Sequence, residues 1–413
     1  MRIAVIGTGI SGLVSAYLLS RDHEVTVFEA NDYVGGHTVT TQVESAGTSL
    51  AVDAGFIVYN EASYPNFVRL LDQLGVESQP TSMSFSVRCD RTGLEYAGTN
   101  LNTLFAQRSN LLRPRFYHFA REILRFNKAA REALAGGGLR GTLGDFLLSN
   151  NLSPSLAELY VIPLTAAIWS TEPRRALETP ARFILRFLDN HRLLGTIGYH
   201  TWRVIKGGSR RYVEKLVVPF ADRIRLRTPV HQLERSAEGV KVSTADGTEL
   251  YDEVVVAAHS NQALRMLASP SPAEDEVLGS IGYQENRTIL HTDDSVLPRT
   301  RRAWASWNYR TPADPDLPVA VTYNMTQLQG LPTERTYCVS LNLDDELDEE
   351  ATIARFRFEH PLFTEAAVAA QARHAEISGA DRIHYCGAYW RHGFHEDGVM
   401  SALAVCDRFG VSL

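Results

Sequence analysis

The sequence predicts an α/β fold built on a doubly wound, Rossmann-type parallel sheet. One reason is a short apolar strand that runs into a glycine-rich turn within the first 12 residues. The other is a strand near the far end, which starts at Ile383, also runs into a glycine, Gly387, and is followed by a helical pattern. A chain of 413 residues is too long for one simple core and fits two joined domains.

The N-terminal segment contains the full strand–turn–helix–strand pattern of a dinucleotide site. An apolar strand precedes GTGISG at residues 7–12, and a second strand carries Glu29 near its end. Gly7 permits the tight turn, Gly9 lets the backbone approach a pyrophosphate, and Gly12 allows the helix to pack on the strand. Glu29 is placed to accept hydrogen bonds from ribose hydroxyls. We therefore predict nucleotide binding; a glycine turn without a ligand is the alternative, and FAD and NAD are not yet distinguished.

Two further segments favour FAD. A glycine pair at 35–36 follows the second strand and would let the chain pass close beneath a cofactor, although a plain hairpin turn has the same composition. A helix that begins near Phe394–Gly398 can direct N–H groups at the N1–C2=O edge of a flavin ring. Because FAD is long, it needs a ring site in addition to the pyrophosphate site. The alternative is a closing strand and helix that only complete the sheet.

These segments resemble the superfamily of flavin amine oxidases, phytoene desaturases and protoporphyrinogen oxidases. Within it, the chain is similar to a bacterial group of predicted NAD/FAD-binding flavoproteins. The matching stretches are GGHT at 35–38, VDAGFIVYNEASYPNF at 52–67, MSFSV at 83–87, AWASWNY at 303–309 and GAYWRHGFHEDGV at 387–399. The resemblance covers essentially the whole chain and implies FAD as the cofactor. One departure is His37, which stands where most of the superfamily has arginine, so the role of that arginine does not transfer.

The glycine pattern and the resemblance together predict the residues that contact FAD. They are Gly7, Gly9, Ile10, Ser11, Gly12, Glu29, Ala30, Gly35, Gly36, His37, Gly55, Phe56, Val230, Ala258, Gly387, Gly393, Phe394, Glu396, Asp397, Gly398 and Val399. No cysteine or histidine spacing typical of a metal site is present in the sequence, so we predict no metal.

The resemblance also implies two interleaved domains, as in flavin amine oxidases. We expect an FAD-binding, Rossmann-type domain from residues 1–75, 202–265 and 378–413. An α+β substrate domain would come from residues 76–201 and 266–377, with its helical part at about 105–195.

Four residues are candidates for chemistry beside the flavin. Tyr389 and Trp390 follow the last strand and could form an aromatic wall that contacts an amine nitrogen, or they could pack between domains. His395 and Glu396 stand at the start of the last helix and could contact flavin or substrate. The alternative for Glu396 and Asp397 is that they are first-turn acids that complement the helix dipole. Because flavin N5 itself accepts the hydride, no protein nucleophile is required.

The predicted function is an FAD-dependent oxidoreductase that transfers a hydride from an apolar organic substrate to N5. Members of the resembling group are often encoded beside enzymes similar to cyclopropane-fatty-acyl synthases, which implies a modified fatty acyl chain and a desaturase-like reaction. Three alternatives remain: a flavin amine oxidase that uses oxygen, a redox-neutral flavin isomerase, and a flavin-bound accessory subunit of a lipid-modifying enzyme.

Composition limits the partners. The formal net charge of −7 gives no footprint for nucleic acid, and four scattered cysteines fit a reducing cytoplasm, where we expect the protein. Two stretches, Leu112–Phe126 and Arg299–Arg310, mix arginines with aromatic residues. Such mixtures occur at membrane surfaces and acyl headgroups, although partly buried elements with solvated ends look similar. If both faced one side, they would form a docking surface for an apolar substrate or a lipid enzyme.

Overall fold

The computed structural model describes residues 1–45, 47–169, 172–195, 200–314, 319–343 and 346–413, and the backbone only for residues 173 and 174. The strands in these residues are β1 (Arg2–Ile6), β2 (Glu24–Phe28), β3 (Thr40–Ser45), β4 (Thr48–Asp53), β5 (Val58–Asn60), β6 (Ser78–Thr81), β7 (Phe85–Cys89), β8 (Leu94–Ala97), β9 (Trp202–Ile205), β10 (Ile224–Arg225), β11 (Gln232–Arg235), β12 (Val240–Thr244), β13 (Gly247–Tyr251), β14 (Glu253–Val256), β15 (Gly282–His291), β16 (Trp307–Thr311), β17 (Ala320–Asn324), β18 (Cys338–Leu341), β19 (Thr352–Leu362) and β20 (Ile383–Tyr385).

The α-helices in the same residues are α1 (Ile10–Leu19), α2 (Pro65–Leu74), α3 (Leu101–Leu104), α4 (Pro114–Ala135), α5 (Leu143–Ser149), α6 (Pro154–Leu156), α7 (Ile162–Trp169), α8 (Pro173–Glu178), α9 (Ala181–Asn190), α10 (Arg210–Leu216), α11 (Ser260–Met266), α12 (Pro272–Gly279), α13 (Met325–Gln329), α14 (Glu365–Gln371), α15 (His374–Ile377) and α16 (His395–Asp407). A π-helical turn, Ala157–Val161, joins α6 to α7, and 3₁₀ turns lie at Arg108–Leu112, Val218–Arg223, Arg301–Ala303, Glu349–Ala351 and Ala388–Trp390.

A five-stranded parallel sheet in the order β10-β2-β1-β14-β20 carries the glycine turn. Strand β1 pairs with β2 from Arg2 opposite Glu24 to Ile6 opposite Phe28, and with β14 on its other side. Its residues Ile3, Ala4 and Val5 are fully buried, as expected for a central strand covered on both faces. The predicted Rossmann-type α/β fold is therefore confirmed, with β1 and the C-terminal β20 in one sheet.

A seven-stranded mixed sheet in the order β19-β15-β18-β17-β16-β7-β8 forms the second layer. Only β16 and β7 pair in parallel within this sheet as it is described; its other neighbours are antiparallel. Helices between α4 and α9 pack on it through an apolar cluster that includes Phe126, Leu164 and Phe187. This sheet and its helices supply many of the apolar walls of the large cavity described below.

A smaller antiparallel sheet has the order β5-β9-β6. Its strands come from all three neighbouring parts of the expected domain division, because β5 precedes residue 75, β6 follows it and β9 begins at Trp202. The interleaved division into two domains stays a prediction. In the described residues, no helix combines the length and the apolarity that crossing a lipid bilayer would require.

Candidate functional site

The glycine turn between β1 and α1 is closely packed on one side and open on the other. Gly7 has a φ of +100°, and a Cβ on it would lie 2.9 Å from the Ala257 carbonyl oxygen. A Cβ on Gly12 would lie 2.0 Å from the Gly7 carbonyl oxygen. A Cβ on Gly9, by contrast, would have no atom within 4 Å. The turn therefore leaves free space beside Gly9, at the N-terminal end of a helix.

Two distant segments converge on this turn. Gly36 has a φ of +58°, and a Cβ on it would lie 2.9 Å from the Gly9 Cα. Gly398, in the first turn of α16, packs so closely on α1 that a Cβ would lie 2.6 Å from Ile10 Cγ2 and 3.0 Å from Ser11 Oγ. The structure thus brings together most residues of the predicted pyrophosphate site, including Ala258 beside Gly7.

Glu29 lies at the carboxyl end of the second strand, as predicted, and is buried. One carboxylate oxygen accepts a hydrogen bond from the Thr8 N–H at 2.9 Å, and the other accepts from the Asn31 N–H at 2.8 Å and the Asn31 Nδ2 at 2.9 Å. Glu29 therefore connects the glycine turn to the loop after β2. The next residue, Ala30, is exposed at the edge of that loop.

A cavity of about 590 Å³ lies next to the turn. Its described lining contains no Asp, Glu, Lys or Arg. The walls are mainly apolar and aromatic; they include Ile57, Val58, Met83, Phe85, Tyr160, Leu164, Ile168, Trp169, Phe187, Trp202, Trp307, Tyr323, Leu341, Phe358 and Phe363. Six predicted FAD contacts or candidates also line it: His37, Gly55, Phe56, Gly393, Phe394 and His395. His37 lines the cavity and directly follows Gly36, which packs on Gly9, so the free space of the turn and the cavity are adjacent.

His395 occupies the wall where the last helix begins. Its ring stacks on Phe56 with centroids 3.5 Å apart and an interplanar angle of 14°. Its Nε2 lies 3.1 Å from Thr38 Oγ1 and 3.0 Å from the Tyr212 hydroxyl oxygen. Burial, with a smaller effect of His37, lowers the pKa of His395 well below 6.5, so the ring is neutral at pH 7.

A second group of histidines adjoins the same end of the cavity. The His37 ring lies 5.5 Å from that of His360 and 6.0 Å from that of His259. Burial lowers the pKa of His37 and His360 to about 3 and that of His259 to about 4. Because their pKa values are so low, these histidines give the site polarity without charge. In the part of the chain that is described, no cluster of three or more His, Cys, Asp or Glu side chains could hold a metal ion.

Glu396 binds another helix rather than the cavity. Its carboxylate accepts hydrogen bonds from the Asn66 N–H at 3.2 Å, the Asn66 Nδ2 at 2.6 Å and the Phe67 N–H at 2.9 Å. These groups belong to the first turn of α2, which begins at Pro65. The carboxylate thus complements the dipole of α2 and fastens it to α16. It is absent from the described cavity lining.

Asp397 caps its own helix, as the alternative interpretation of this acid proposed. Its carboxylate accepts a hydrogen bond from the Phe394 N–H at 2.9 Å and lies 3.5 Å from the Arg391 guanidinium. Burial raises the pKa of Asp397 to about 7, against the lowering effect of the Phe394 hydrogen bond. Its oxygens serve the helix end and are not in the described lining of the cavity.

Tyr389 and Trp390, the expected aromatic wall, lie in the apolar core next to the parallel sheet. They are 3% and 6% exposed, and neither lines the cavity as described. The backbone carbonyl of Tyr389 accepts a hydrogen bond from Gln371 Nε2, and the His374 ring packs on Trp390 at 4.5 Å. The wall interpretation does not hold for the described cavity, because the chain turns these rings toward α14 and α15.

The remaining predicted contacts have packing roles. Val399 is fully buried on the α1 side of the parallel sheet, and Val230 lies in the core on the opposite side. The Gly387 N–H donates to Ser401 Oγ at 2.6 Å. Gly35 has a φ of +127° and its N–H donates to the Thr8 carbonyl oxygen at 3.2 Å, so it orients the glycine pair.

Most of the cavity wall escaped prediction from the sequence. Tyr160, Leu164 and Ile168 recur every four residues, which identifies one face of a helix. That spacing does not reveal whether the face packs on a neighbour or borders an open space. Trp307 belongs to the AWASWNY stretch, which carries the resemblance but does not indicate that this ring borders an open space.

Comparison with known proteins identifies the family. A family model described as "Flavin containing amine oxidoreductase" matches residues 10–409, and the chain belongs to this family. A Mycobacterium tuberculosis protein named a flavin-containing monoamine oxidase is 26% identical over 262 residues, which are 62% of this chain and 56% of that relative. The chain thus spans just over half the length of the curated relatives that it matches first.

Solved structures share the fold over nearly the whole chain. Cyclohexylamine oxidase from Brevibacterium oxydans superimposes with a TM-score of 0.70 at 15% identity, with 99% of each chain covered. A CLA-producing fatty acid isomerase from P. acnes superimposes with a TM-score of 0.69 at 16% identity, with 99% of this chain and 98% of that one covered. At such identities the likeness establishes the fold.

Membership of this family makes FAD the cofactor. The residues present fit it: the space beside Gly9 would accept a pyrophosphate at a helix N-terminus, and the adjacent cavity would accept a flavin ring near Phe394 and His395. Which side chains touch the cofactor stays a prediction.

Proposed function

We propose that the protein is an FAD-dependent oxidoreductase that takes a hydride from an apolar organic substrate, with a fatty acyl chain as the preferred class. The observation that carries this proposal is the uncharged lining of the 590 Å³ cavity beside the glycine turn. An apolar chain gains free energy when it leaves water for such walls, at about 25 cal/mol per Å² of buried surface.

The same lining disfavours a protonated amine. A buried cation without a partner costs several kcal/mol, and the described walls offer it no carboxylate. The histidines at the flavin end are neutral because burial lowers the pKa of His37 and His360 to about 3. The position of these groups therefore supports an uncharged reacting segment.

Amine oxidation with oxygen as the acceptor is the second candidate. It is favoured by the aromatic walls, since the faces of Trp169, Trp307 and Tyr323 can attract a cation. However, the stacked pair in the lining, Phe187 and Phe394, has centroids only 4.8 Å apart, so the two rings contact each other and leave no room for an amine between them. Trp307 and Tyr323 are nearly perpendicular, at 86°.

The chain's own residues have limited tasks in this reaction. FAD supplies the hydride acceptor when it is bound. The first turn of α16 presents N–H groups near the cavity, and a helix N-terminus stabilises negative charge. His395 is held by Thr38 and Tyr212, which fixes its ring against Phe56. The apolar walls exclude water and orient the substrate.

An anaerobic reduction experiment tests the proposal. Purified holoprotein is mixed with long-chain acyl esters and, separately, with primary amines of equal chain length, and the visible absorbance of oxidised flavin is followed. We expect bleaching by acyl substrates. Bleaching by amines alone would overturn the proposal in favour of an amine oxidase. Moved double bonds without bleaching would indicate an isomerase, and no response to any lipid would indicate an accessory subunit.

A matched pair of variants tests whether the cavity binds the chain. Ile168→Trp reduces the cavity volume from α7, whereas Ile353→Trp adds the same side chain at an exposed position on β19. We expect Ile168→Trp to raise the half-saturating concentration of long acyl substrates roughly tenfold, about 1.4 kcal/mol of lost binding, with flavin content unchanged. Equal behaviour of the two variants would contradict the assignment of this cavity.

A further inference from the structure

One face of the molecule exposes leucines and arginines together beside the cavity. Of the large hydrophobic side chains in the described residues, those that protrude most include Leu101, which is 75% exposed, and Leu112, which is 88% exposed. Tyr117 and Leu124 on α4 are 50% and 55% exposed. Isolated exposed leucines need no explanation, but several on one surface mark an interaction site.

These side chains form one continuous surface. The Phe105 ring, which follows α3, lies 5.6 Å from the Tyr117 ring, and the Tyr117 hydroxyl donates to the Leu111 carbonyl oxygen at 2.9 Å. Along α4, Tyr117, Arg121 and Leu124 are spaced four and three residues apart and therefore share the outer face. We call this the docking surface; it comprises Leu101, Leu111, Leu112, Tyr117 and Leu124 with the exposed arginines named next.

The docking surface is strongly basic although the whole chain is acidic. Residues 99–121 contain four arginines and no acidic residue, whereas the chain carries a formal charge of −7. The turn Arg301–Ala303 packs against α3 and adds further exposed cations. The Glu95 carboxylate holds the turn in place by accepting hydrogen bonds from the Arg299 and Thr300 N–H groups at 2.9 and 2.8 Å. The exposed arginines are Arg108, Arg113, Arg115, Arg121, Arg125, Arg299, Arg301 and Arg302.

The two stretches singled out in the sequence thus face one side, and the cavity opens there. Gly98 and Thr99 are exposed and line the cavity, and they directly precede Asn100, the N-cap of α3. Leu101 therefore lies at the rim of the opening. A partner that covered the docking surface would also cover this entrance.

We propose that the docking surface binds the face of an anionic lipid bilayer. Protruding leucines would enter the boundary between headgroups and acyl chains, where apolar burial provides the binding energy. The arginines would contact lipid phosphates, and each contributes about 1 kcal/mol near an anionic surface. A nucleic acid would satisfy the arginines but would leave the leucines in water. Delivery of an acyl substrate from the bilayer into the cavity rests on the proposed function; binding to the bilayer does not.

Vesicle flotation with the full-length holoprotein tests this. We expect binding to vesicles of phosphatidylcholine mixed with phosphatidylglycerol, weaker binding to pure phosphatidylcholine, and roughly tenfold weaker binding at high salt. The double variant Leu101→Ser/Leu112→Ser should lose roughly tenfold or more in partitioning, and Arg301→Ser/Arg302→Ser should lose mainly the preference for the anionic lipid. The matched control Val218→Ser/Leu226→Ser changes exposed apolar residues, 70% and 40% exposed, outside the docking surface.

The outcomes separate this inference from the proposed function. No binding of the wild type to anionic vesicles, or equal loss in the control, would overturn the inference whatever the enzyme oxidises. Flavin absorbance and unfolding midpoint check that each variant is folded. Turnover of a detergent-dispersed acyl substrate should be unchanged in Leu101→Ser/Leu112→Ser, while turnover of the same substrate embedded in vesicles should fall; equal turnover in both forms would also count against the inference.

Discussion

Alanine at Gly9 and alanine at Gly12 should have different effects, the first on FAD binding and the second on stability, although the glycines are three residues apart in one turn. A Cβ on Gly12 would lie 2.0 Å from the Gly7 carbonyl oxygen, where an ordinary contact begins at 3.4 Å. The helix would have to move by the difference, about 1.4 Å, against the buried strand β1. Overpacking of this kind costs about 1–3 kcal/mol of unfolding free energy.

Gly9→Ala should leave the apoprotein almost unchanged. The new Cβ would meet no atom within 4 Å, and the φ of −65° at Gly9 suits any L-residue. Alanine is a weaker N-cap than glycine, which lowers the unfolding free energy slightly, and it makes the unfolded chain stiffer, which raises it slightly. The two effects on stability cancel to within about 0.5 kcal/mol. The affinity for FAD should nevertheless fall roughly tenfold or more, because the Cβ enters the space expected for the pyrophosphate.

The assay needs apoprotein of the wild type and both variants. Urea unfolding of each apoprotein gives the change in stability, and titration with FAD, followed by quenching of flavin fluorescence, gives the affinity. The reasoning is refuted if Gly9→Ala binds FAD as tightly as the wild type. It is equally refuted if Gly9→Ala destabilises the apoprotein as much as Gly12→Ala does.

Two other predictions concern buried titratable groups. Glu396→Gln should lower the unfolding free energy by about 2–3 kcal/mol, because the donors at the start of α2 lose a charged acceptor. Asn66→Ala should then lower the unfolding free energy less in the Glu396→Gln variant than in the wild type. If Glu396→Gln instead leaves stability unchanged but abolishes turnover, Glu396 takes part in the chemistry. His37 and His360 should make the apoprotein less stable as the pH drops from 6.5 toward 4, because their pKa is about 3 when folded and 6.5 when unfolded, so the unfolded state binds more protons at these two sites in that window. Asp53 and Asp397, whose pKa is raised to about 7 by burial, act in the opposite direction. His37→Gln should reduce the histidine part of this pH dependence by up to about 1.4 kcal/mol per pH unit, and an identical slope in both proteins would contradict the buried neutral state of His37.

The sequence predicted the cofactor turn because the information is local. Gly7, Gly9 and Gly12 are close neighbours, and the tight turn, the open approach and the close packing each depend on the backbone of that one segment. The presence of β1 and β20 as strands was also predictable, since an apolar strand that ends in a glycine is a pattern a few residues long.

The roles of individual side chains in the last segment were not predictable in the same way. Glu396 and Tyr389 lie seven residues apart, yet one fastens α2 and the other packs toward α14. Their partners, Phe67 and Gln371, are 329 and 18 residues away. A carboxylate or an aromatic ring has the same appearance in the sequence whether it faces a flavin or a helix end.

By itself, then, the sequence determined the nucleotide-binding turn, the α/β class and the family of cofactor. The tertiary structure alone decided that the face of Tyr160, Leu164 and Ile168 borders an open, uncharged cavity, and that two basic stretches nearly 200 residues apart share a surface beside its entrance. The physical reason is that a turn is specified by neighbouring backbone, whereas an empty space or a joint surface exists only where distant elements meet or fail to meet.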